Sequence, residues 1–273
     1  MTKTSQEEVS IRKKVDNECI QEVLLYYKNN GRHDLPWRKK ITGYSVLVSE
    51  VMLQQTQVAR VAVKFETWMK YYPTLAHLRK ATLRDVLLLW QGLGYQRRAK
   101  ALYEIGKRCN VIPESFDELL MLPGIGTYTA SAVSAFAYDH FAHPVLETNI
   151  RTVLIECFHQ GEEVVHDGVL YDDLARLEKY KKVRDVGARV WYYALMDFGA
   201  HLKSKNISHN KKSAHYAKQS PFKGSLRELR AKTLFAITNK EPLPVDERLQ
   251  EVLSQLIKED YISKQGNKYF LKD

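Results

Sequence analysis

Residues 115–137 read SFDELLMLPGIGTYTASAVSAFA. The pattern predicts a short helix running into LPGIG at 122–126 and a second helix starting near Thr127. Gly124 and Gly126 allow a tight turn and leave the backbone N–H groups uncovered at a helix N-terminus, where they can hold a phosphate without any side chain. This is a helix–hairpin–helix, a sequence-independent grip on a DNA backbone, with Leu122, Gly124, Gly126 and Thr127 at the contact. The alternative is a plain αα-corner in which glycine ends one helix for backbone reasons alone. LPGIG with this flanking favours the DNA grip.

One helix and a short loop, FAHP at 141–144, separate that hairpin from VLETNIRTVL at 145–154. There a carboxylate, Glu147, and an amide, Asn149, stand among apolar residues. Glu147 has two readings. Acids and short polar residues are favoured where a helix begins, so it can be a cap. Set just after a DNA grip, it can also be a working acid.

The totals narrow the field. The 273 residues suffice for one large or two small domains. The formal charge of +10 favours a polyanionic partner. No apolar run is long enough to cross a bilayer, and MTKTSQEEVSIRKK lacks the apolar core of a secretory signal. An intracellular protein, cytoplasmic or in the nucleoid, is expected. Cys19, Cys109 and Cys157 are widely spaced and form no metal-ligand pattern.

Most of the chain reads as helix. Apolar spacing predicts helices over 9–29, 44–71 (divided around Gln54 and Gln55), 82–90 and 97–109, with GLGY at 92–95 ending the third. β signals are scarce before residue 220, so the body is expected to be all-α. Residues 203–220, KSKNISHNKKSAHYAKQS, read as a basic loop or linker. Beyond it, 226–238 and 245–259 read as helices, and YISKQGNKYFLKD as a β-hairpin turning at Gly266 and Asn267. Helix, helix, hairpin predicts a small winged-helix-like module at 221–273.

A DNA grip placed just before a carboxylate in an apolar setting resembles the helix–hairpin–helix base-excision glycosylases, the endonuclease III superfamily. LPWR at 35–38, SEVMLQQTQV at 49–58, LWQGLGYQRRAKAL at 89–102, LPGIGTYTA at 122–130 and YALMDFGA at 193–200 are similar to its MutY-like adenine glycosylases. The resemblance covers about residues 15–202. It implies a two-lobed helical fold, a glycosylase domain over 1–202 in which a lobe at 36–143 is inserted between 1–35 and 144–202. It further implies a monofunctional enzyme that removes adenine mispaired with guanine or 8-oxoguanine from double-stranded DNA. A monomer is expected.

The site residues that the resemblance implies are these. Glu50 matches the acid that protonates the flipped adenine on a ring nitrogen, which lowers the barrier for a poor leaving group. Glu147 occupies the position of the family aspartate, which faces the sugar and stabilises its cation. Asn149 positions that carboxylate and the water, and Tyr128 stands beside the same site. Gln54, Gln55 and Tyr95 match residues that push into the base stack, offsetting part of the cost of extruding a base. Arg38 matches a contact to the adenine or its phosphate.

The sequence departs from the family pattern in several places. Glu147 replaces Asp, and one added methylene moves the carboxylate by about an ångström, a shift that can cost on the order of a hundredfold in rate. Tyr128 stands where bifunctional relatives carry a lysine, so no amine is expected for strand cleavage. The four cysteines around an iron–sulfur cluster are replaced by Lys203, Asn210, Ser213 and Gln219, so no cluster is expected. His201, His209 and His215 read as surface residues, and Lys203, Lys205, Lys211, Lys212 and Lys218 as phosphate contacts. The family's larger domain for reading oxidised guanine is not expected within 221–273. Lys223, Arg227, Arg230 and Lys232 there offer a DNA contact, unless the module only binds protein or stabilises the fold. Two other functions remain open: a thymine or uracil mismatch glycosylase, and a mismatch- or damage-binding protein without chemistry.

Overall fold

A computed structural model describes residues 3–214 and 221–272. In chain order the elements are α1 (Lys3–Asn30), α2 (Pro36–Lys39), α3 (Gly43–Leu53), α4 (Val58–Tyr71), α5 (Leu75–Lys80), α6 (Leu83–Trp90) and α7 (Arg97–Arg108). Then come α8 (Phe116–Leu120), α9 (Thr127–Tyr138), α10 (Thr148–Phe158), α11 (Asp167–Leu177) and α12 (Lys181–Ser204). A 3₁₀ turn at Asn210–Lys212 precedes α13 (Leu226–Asn239), α14 (Leu249–Lys258), β1 (Ile262–Gln265) and β2 (Lys268–Leu271). No described helix is long and apolar enough to cross a membrane.

The chain divides into two compact units. The first takes, of the described residues, 3–46, 113–120 and 126–214. Its core is built where α1, α9 and α10 pack on α12, with Ile20, Val23, Phe136, Val153, Leu154, Trp191 and Leu195 fully buried. The start of α12 is bent at Gly187, whose φ of +83° suits glycine. A Cβ there would lie 2.6 Å from Asp139 Oδ2, and Asp139 Oδ1 instead accepts from Arg189 N at 2.7 Å and caps the remaining helix. At the other end, α12 continues to Ser204, into the stretch expected as linker. Residues 205–214 are fastened to the same unit: Ile207 N donates to Leu202 O at 3.0 Å, and Ser213 pairs with Val165 in a parallel bridge. Val165 N donates to Lys212 O at 2.8 Å and Ala214 N to Val165 O at 3.2 Å, which packs the stretch up to residue 214 onto the body.

The second unit takes 47–112, 121–125 and, of the described residues, 221–272. Trp68 and Trp90 meet edge to face at 5.9 Å in its core, beside fully buried Leu47, Val48, Val86 and Ile105. Thr82 caps α6 in a capping box with Asp85. Residues 221–272, expected as a separate module, belong to this unit because helix ends and loops are tied together. Arg84 Nε donates to Thr238 O at 3.0 Å. Lys100 Nζ donates to Glu259 O at 2.5 Å and Asp260 O at 3.1 Å, at the carbonyl end of α14. The strands β1 and β2 are antiparallel, with Ile262 opposite Leu271 and Gln265 opposite Lys268, and they turn through Gly266 at φ +58°. The α14 helix starts at Leu249, four residues later than its apolar spacing predicts. Val245 is fully exposed, and Asp246 Oδ1 accepts from Arg248 N at 2.9 Å in a turn that delays the helix.

Candidate functional site

In the first unit the focus is the start of α10. Glu147 is its N-cap, with extended backbone. Oε1 accepts from Asn149 N at 2.8 Å and Ile150 N at 3.1 Å, satisfying two of the open N–H groups of the first turn. Oε2 accepts from Thr148 Oγ1 at 3.1 Å and Asn149 Nδ2 at 3.2 Å. The longer side chain is therefore folded back onto its own helix, with a donor on each contact, as an ionised carboxylate takes them. The side chain is half-buried.

Asn149 joins this carboxylate to α12. Its Oδ1 accepts from Lys203 Nζ at 2.8 Å. Burial pushes the Lys203 ammonium below its ordinary value, while Glu147 pulls it up and Arg151 pushes it down. Lys203, expected to touch phosphate, gives one of its three N–H donors to the Glu147 cluster. Lys205 is exposed. Arg151 is itself held by Asp167 in a two-pronged pair at 2.8 and 2.6 Å. The close approach of α12 to α10 depends on Gly199, where an added Cβ would sit 2.2 Å from Asn149 O.

Arg38 departs from its expected role. Its guanidinium side chain is 5% exposed, donates to Asp197 Oδ2 at 2.7 Å and Oδ1 at 3.0 Å, and lies 3.9 Å over the Tyr193 ring. Asp197 also takes Arg32 N at 2.8 Å and Arg32 Nε at 2.7 Å. Although burial raises the Asp197 carboxyl, the two arginines outweigh this and hold it below its usual range. Arg38 is a buried strut rather than a contact to adenine or phosphate. Asp197, in YALMDFGA, carries no local signal of this pairing.

The hairpin itself is regular. Ile125 N donates to Leu122 O at 3.2 Å. Gly124 has φ +70°, and its Cβ would meet the Ala101 Cβ at 2.7 Å, so glycine is required both by conformation and by space. Gly126 caps α9 with extended backbone. A Cβ there would meet nothing within 4 Å; the missing side chain leaves the helix N-terminus open rather than relieving a clash. Thr127 is exposed, while Leu122 and Tyr128 are half-buried.

In the second unit Glu50 lies on α3 and is 3% exposed, between buried Ser49 and Val51. Immediately after α3 the chain enters Gln54 and Gln55, and Gln55 takes φ +55°. Tyr95 takes φ +45°. Left-handed backbone at two non-glycine residues is uncommon and needs support. Arg98 supplies it. Its Nη1 donates to Val51 O at 2.8 Å, Met52 O at 3.1 Å and Gln54 O at 2.6 Å. Its Nη2 donates to Leu93 O at 2.7 Å, Gly94 O at 3.2 Å and Thr56 Oγ1 at 3.3 Å. One planar fork therefore closes the carbonyl end of α3 and ties it to the GLGY loop. Burial pushes the Arg98 pKa down to about 10. Within LWQGLGYQRRAKAL, Arg98 has the look of a surface cation at a helix start, so the sequence gives no signal of this task. Arg227 of α13 donates to Tyr95 OH at 3.1 Å.

Three of the four positions at which the resemblance implies cluster ligands are described. Lys203 is held by Asn149, Asn210 opens the 3₁₀ turn, Ser213 sits in the bridge to Val165, and Gln219 lies outside the described residues. The stretch 203–220 contains no cysteine, and thiolates are what such a cluster needs. His201 stacks on Tyr26 at 4.6 Å, and His209 Nε2 bonds to Glu156 Oε2 at 2.5 Å. His215 and Lys218 lie outside the described residues. Among the described residues no group of three or more His, Cys, Asp or Glu is placed to hold a metal.

A family model for the HhH-GPD superfamily of base excision DNA repair proteins matches residues 48–256. The chain belongs to this family. It is 39% identical over 183 residues to the adenine DNA glycosylase of Mycolicibacterium smegmatis, covering 65% of this chain and 61% of that protein. It is 38% identical over 186 residues to the adenine DNA glycosylase of Mycobacterium tuberculosis, covering 65% and 59%. Against the human adenine DNA glycosylase it is 39% identical over 145 residues, covering 48% and 26%. The chain thus spans less than two thirds of the length of these relatives. In fold it is similar to a thermostable thymine-DNA glycosylase, with a TM-score of 0.60 at 21% identity over 74% of this chain and 93% of that one. An endonuclease III bound to DNA gives a TM-score of 0.54 at 17% identity, covering 78% and 91%.

Proposed function

We propose that the protein is a monofunctional DNA glycosylase of base excision repair that hydrolyses the N-glycosidic bond of adenine mispaired with guanine or 8-oxoguanine. The observation that carries this reading is the Glu147–Asn149–Lys203 cluster at the start of α10, in a chain whose relatives of about 38–39% identity are adenine DNA glycosylases. The glutamate that replaces aspartate keeps the donors of a helix cap, so its charge is fixed in place before substrate arrives.

The hairpin at 122–127 grips the phosphate backbone through main-chain N–H groups. Gln54, Gln55 and Tyr95, held by Arg98, fill the gap left by an extruded nucleotide. Glu50 donates a proton to a ring nitrogen of the adenine. The neutral acid is the form that donates. The N-glycosidic bond breaks with its electron pair going to the protonated base, which leaves as neutral adenine. The sugar cation forms beside the Glu147 carboxylate, which stabilises it by charge. Water then adds to the anomeric carbon and gives up a proton, restoring the proton that Glu50 spent and leaving an abasic site. No amine stands at Tyr128, so the strand stays intact. None of these steps calls on a metal or cluster.

The test is single-turnover incubation of labelled duplexes carrying A opposite 8-oxoguanine, A opposite G, T opposite G and U opposite G, with and without hot alkali. Alkali-dependent cleavage at adenine, lost in Glu50→Gln and Glu147→Gln, is the expected result. Cleavage at T or U instead would move the protein to the pyrimidine-directed reading that its thymine-DNA glycosylase fold neighbour illustrates.

A further inference from the structure

The ring of His143 meets α8 and α9, the two helices of the hairpin, and stands at the head of the chain that leads to Glu147. Phe116 of α8 stacks on it with ring centroids 4.8 Å apart and planes 3° from parallel. Ser131 of α9, itself 1% exposed, has its Oγ 3.0 Å from His143 Nδ1. Tyr171 of α11 meets the ring edge to face at 5.7 Å. The bonding decides which nitrogen carries the hydrogen. Ser131 Oγ donates its one proton to Thr127 O at 2.9 Å, so towards His143 it can only accept. Pro144 O, 3.1 Å from the same nitrogen, is an acceptor too. Nδ1 therefore bears the hydrogen and donates it.

Thr127 is the first residue of α9, at the helix N-terminus whose open N–H groups can hold a phosphate. One serine joins that residue to the imidazole. On the other side, the three residues between His143 and Glu147 have little slack. Pro144 has a fixed φ, and Val145 and Leu146 are 0% and 6% exposed. A shift at His143 is passed to the Glu147 carboxylate rather than absorbed. We infer that His143 is a positioning residue for base release: its Nδ1–H bond to Ser131 sets the spacing between the phosphate-holding end of α9 and the Glu147 carboxylate. The inference rests on the glycosylase reading. A strand held at the start of α9 then presents its sugar to the carboxylate at one distance, and a misplacement of about 1 Å can cost on the order of a hundredfold in rate.

The test uses the full chain and a duplex with A opposite 8-oxoguanine. It reads the single-turnover rate at saturating protein and, separately, the protein concentration that gives half of it. His143→Phe keeps a ring against Phe116 and loses the donor. His143→Asn loses the ring and puts an amide N–H where Nδ1–H stood. Ser131→Ala deletes a single buried oxygen, so it keeps the question open to measurement should His143→Phe fold poorly in melting curves. The rate is expected to fall by about ten- to a hundredfold in His143→Phe and in Ser131→Ala, with the half-saturating concentration within about twofold of the unaltered chain's. His143→Asn should recover most of the rate. The double variant should be no slower than the slower single one, because both changes remove the same bond. Four results overturn the inference: unchanged rates in His143→Phe and Ser131→Ala, His143→Asn as slow as His143→Phe, losses that multiply in the double variant, or a loss carried by the half-saturating concentration. Each leaves the glycosylase reading standing, since the unaltered chain still releases adenine. No release by the unaltered chain from a duplex that it binds sinks both.

Discussion

Replacing Arg98 with Met removes the fork that joins the end of α3 to the GLGY loop while keeping a long, apolar stem. Four of its six hydrogen bonds are 3.1 Å or shorter, to Val51 O, Met52 O, Gln54 O and Leu93 O. At about 1 kcal/mol net each, they account for about 4 kcal/mol. Part of this is offset because burying the cation is itself costly, as its depressed pKa shows. The net destabilisation expected is about 2–4 kcal/mol, and the melting temperature should fall by about 5–15 °C. Function should fall further than stability. With the carbonyls of Gln54 and Leu93 released, the left-handed backbone of Gln55 and Tyr95 loses its support, and affinity for a duplex holding an abasic analogue should drop well below that for plain duplex. Arg98→Lys keeps the charge but not the planar fork, and should fall between the two. Melting curves and titration of the two duplexes below the melting transition read both effects. Arg98→Met with an unchanged melting temperature and unchanged preference for the abasic duplex would refute the role assigned to it.

Other consequences follow from the same geometry. Gly199→Ala drives a Cβ to 2.2 Å from Asn149 O; a loss of about 2–4 kcal/mol in chemical unfolding and loss of base release are expected, and native stability with native turnover would contradict the contact. Lys203→Met removes a half-buried cation, so stability should stay within about 1 kcal/mol, while base release falls by about ten- to a hundredfold as Asn149 loses its anchor; an unchanged single-turnover rate would remove Lys203 from the site. Burial alone would lower the His159 pKa, but Asp173 and Glu162, each 2.6 Å from a ring nitrogen, raise it above its ordinary 6.5. Its contribution to stability is therefore complete below about pH 6.5 and is lost as pH rises through the raised value. Melting temperature against pH should decline across that window, and His159→Gln should flatten the decline.

Local punctuation makes much of this fold readable. Capping threonine and glycine place the ends of α6, and glycine and proline the hairpin turn, because each acts on its own neighbours in sequence. The cap reading of Glu147 depends on residues within three positions, and the structure shows the cap; the working-acid reading depends on the hairpin about twenty residues upstream and on the family resemblance. Long-range commitments are hidden. Arg38 meets Asp197 across 159 residues, and nothing in LPWR or YALMDFGA says that the two sites share one ion pair. Arg98 is one of two adjacent arginines at a helix start; only folding brings six acceptors to it. Lys203 belongs to a basic run in sequence, but α12 carries it to Asn149, and the close packing at Gly199 decides that partner. The helix–helix–hairpin pattern of 226–271 is legible from periodicity, whereas its attachment through Arg84, Lys100 and Arg227 is not.

The central claim is that Glu147, though one methylene longer than the family acid, stabilises the sugar cation while capping α10. Single-turnover base release from a duplex with A opposite 8-oxoguanine, compared among the unaltered chain, Glu147→Gln and Glu147→Asp, tests it most directly. Gln keeps the shape and loses the charge; Asp keeps the charge and the cap. The account predicts alkali-revealed cleavage at adenine by the unaltered chain, a rate in Glu147→Gln lower by roughly a hundredfold, and retained activity in Glu147→Asp. Equal rates in the unaltered chain and Glu147→Gln, or no release by the unaltered chain from a duplex it binds, would contradict it.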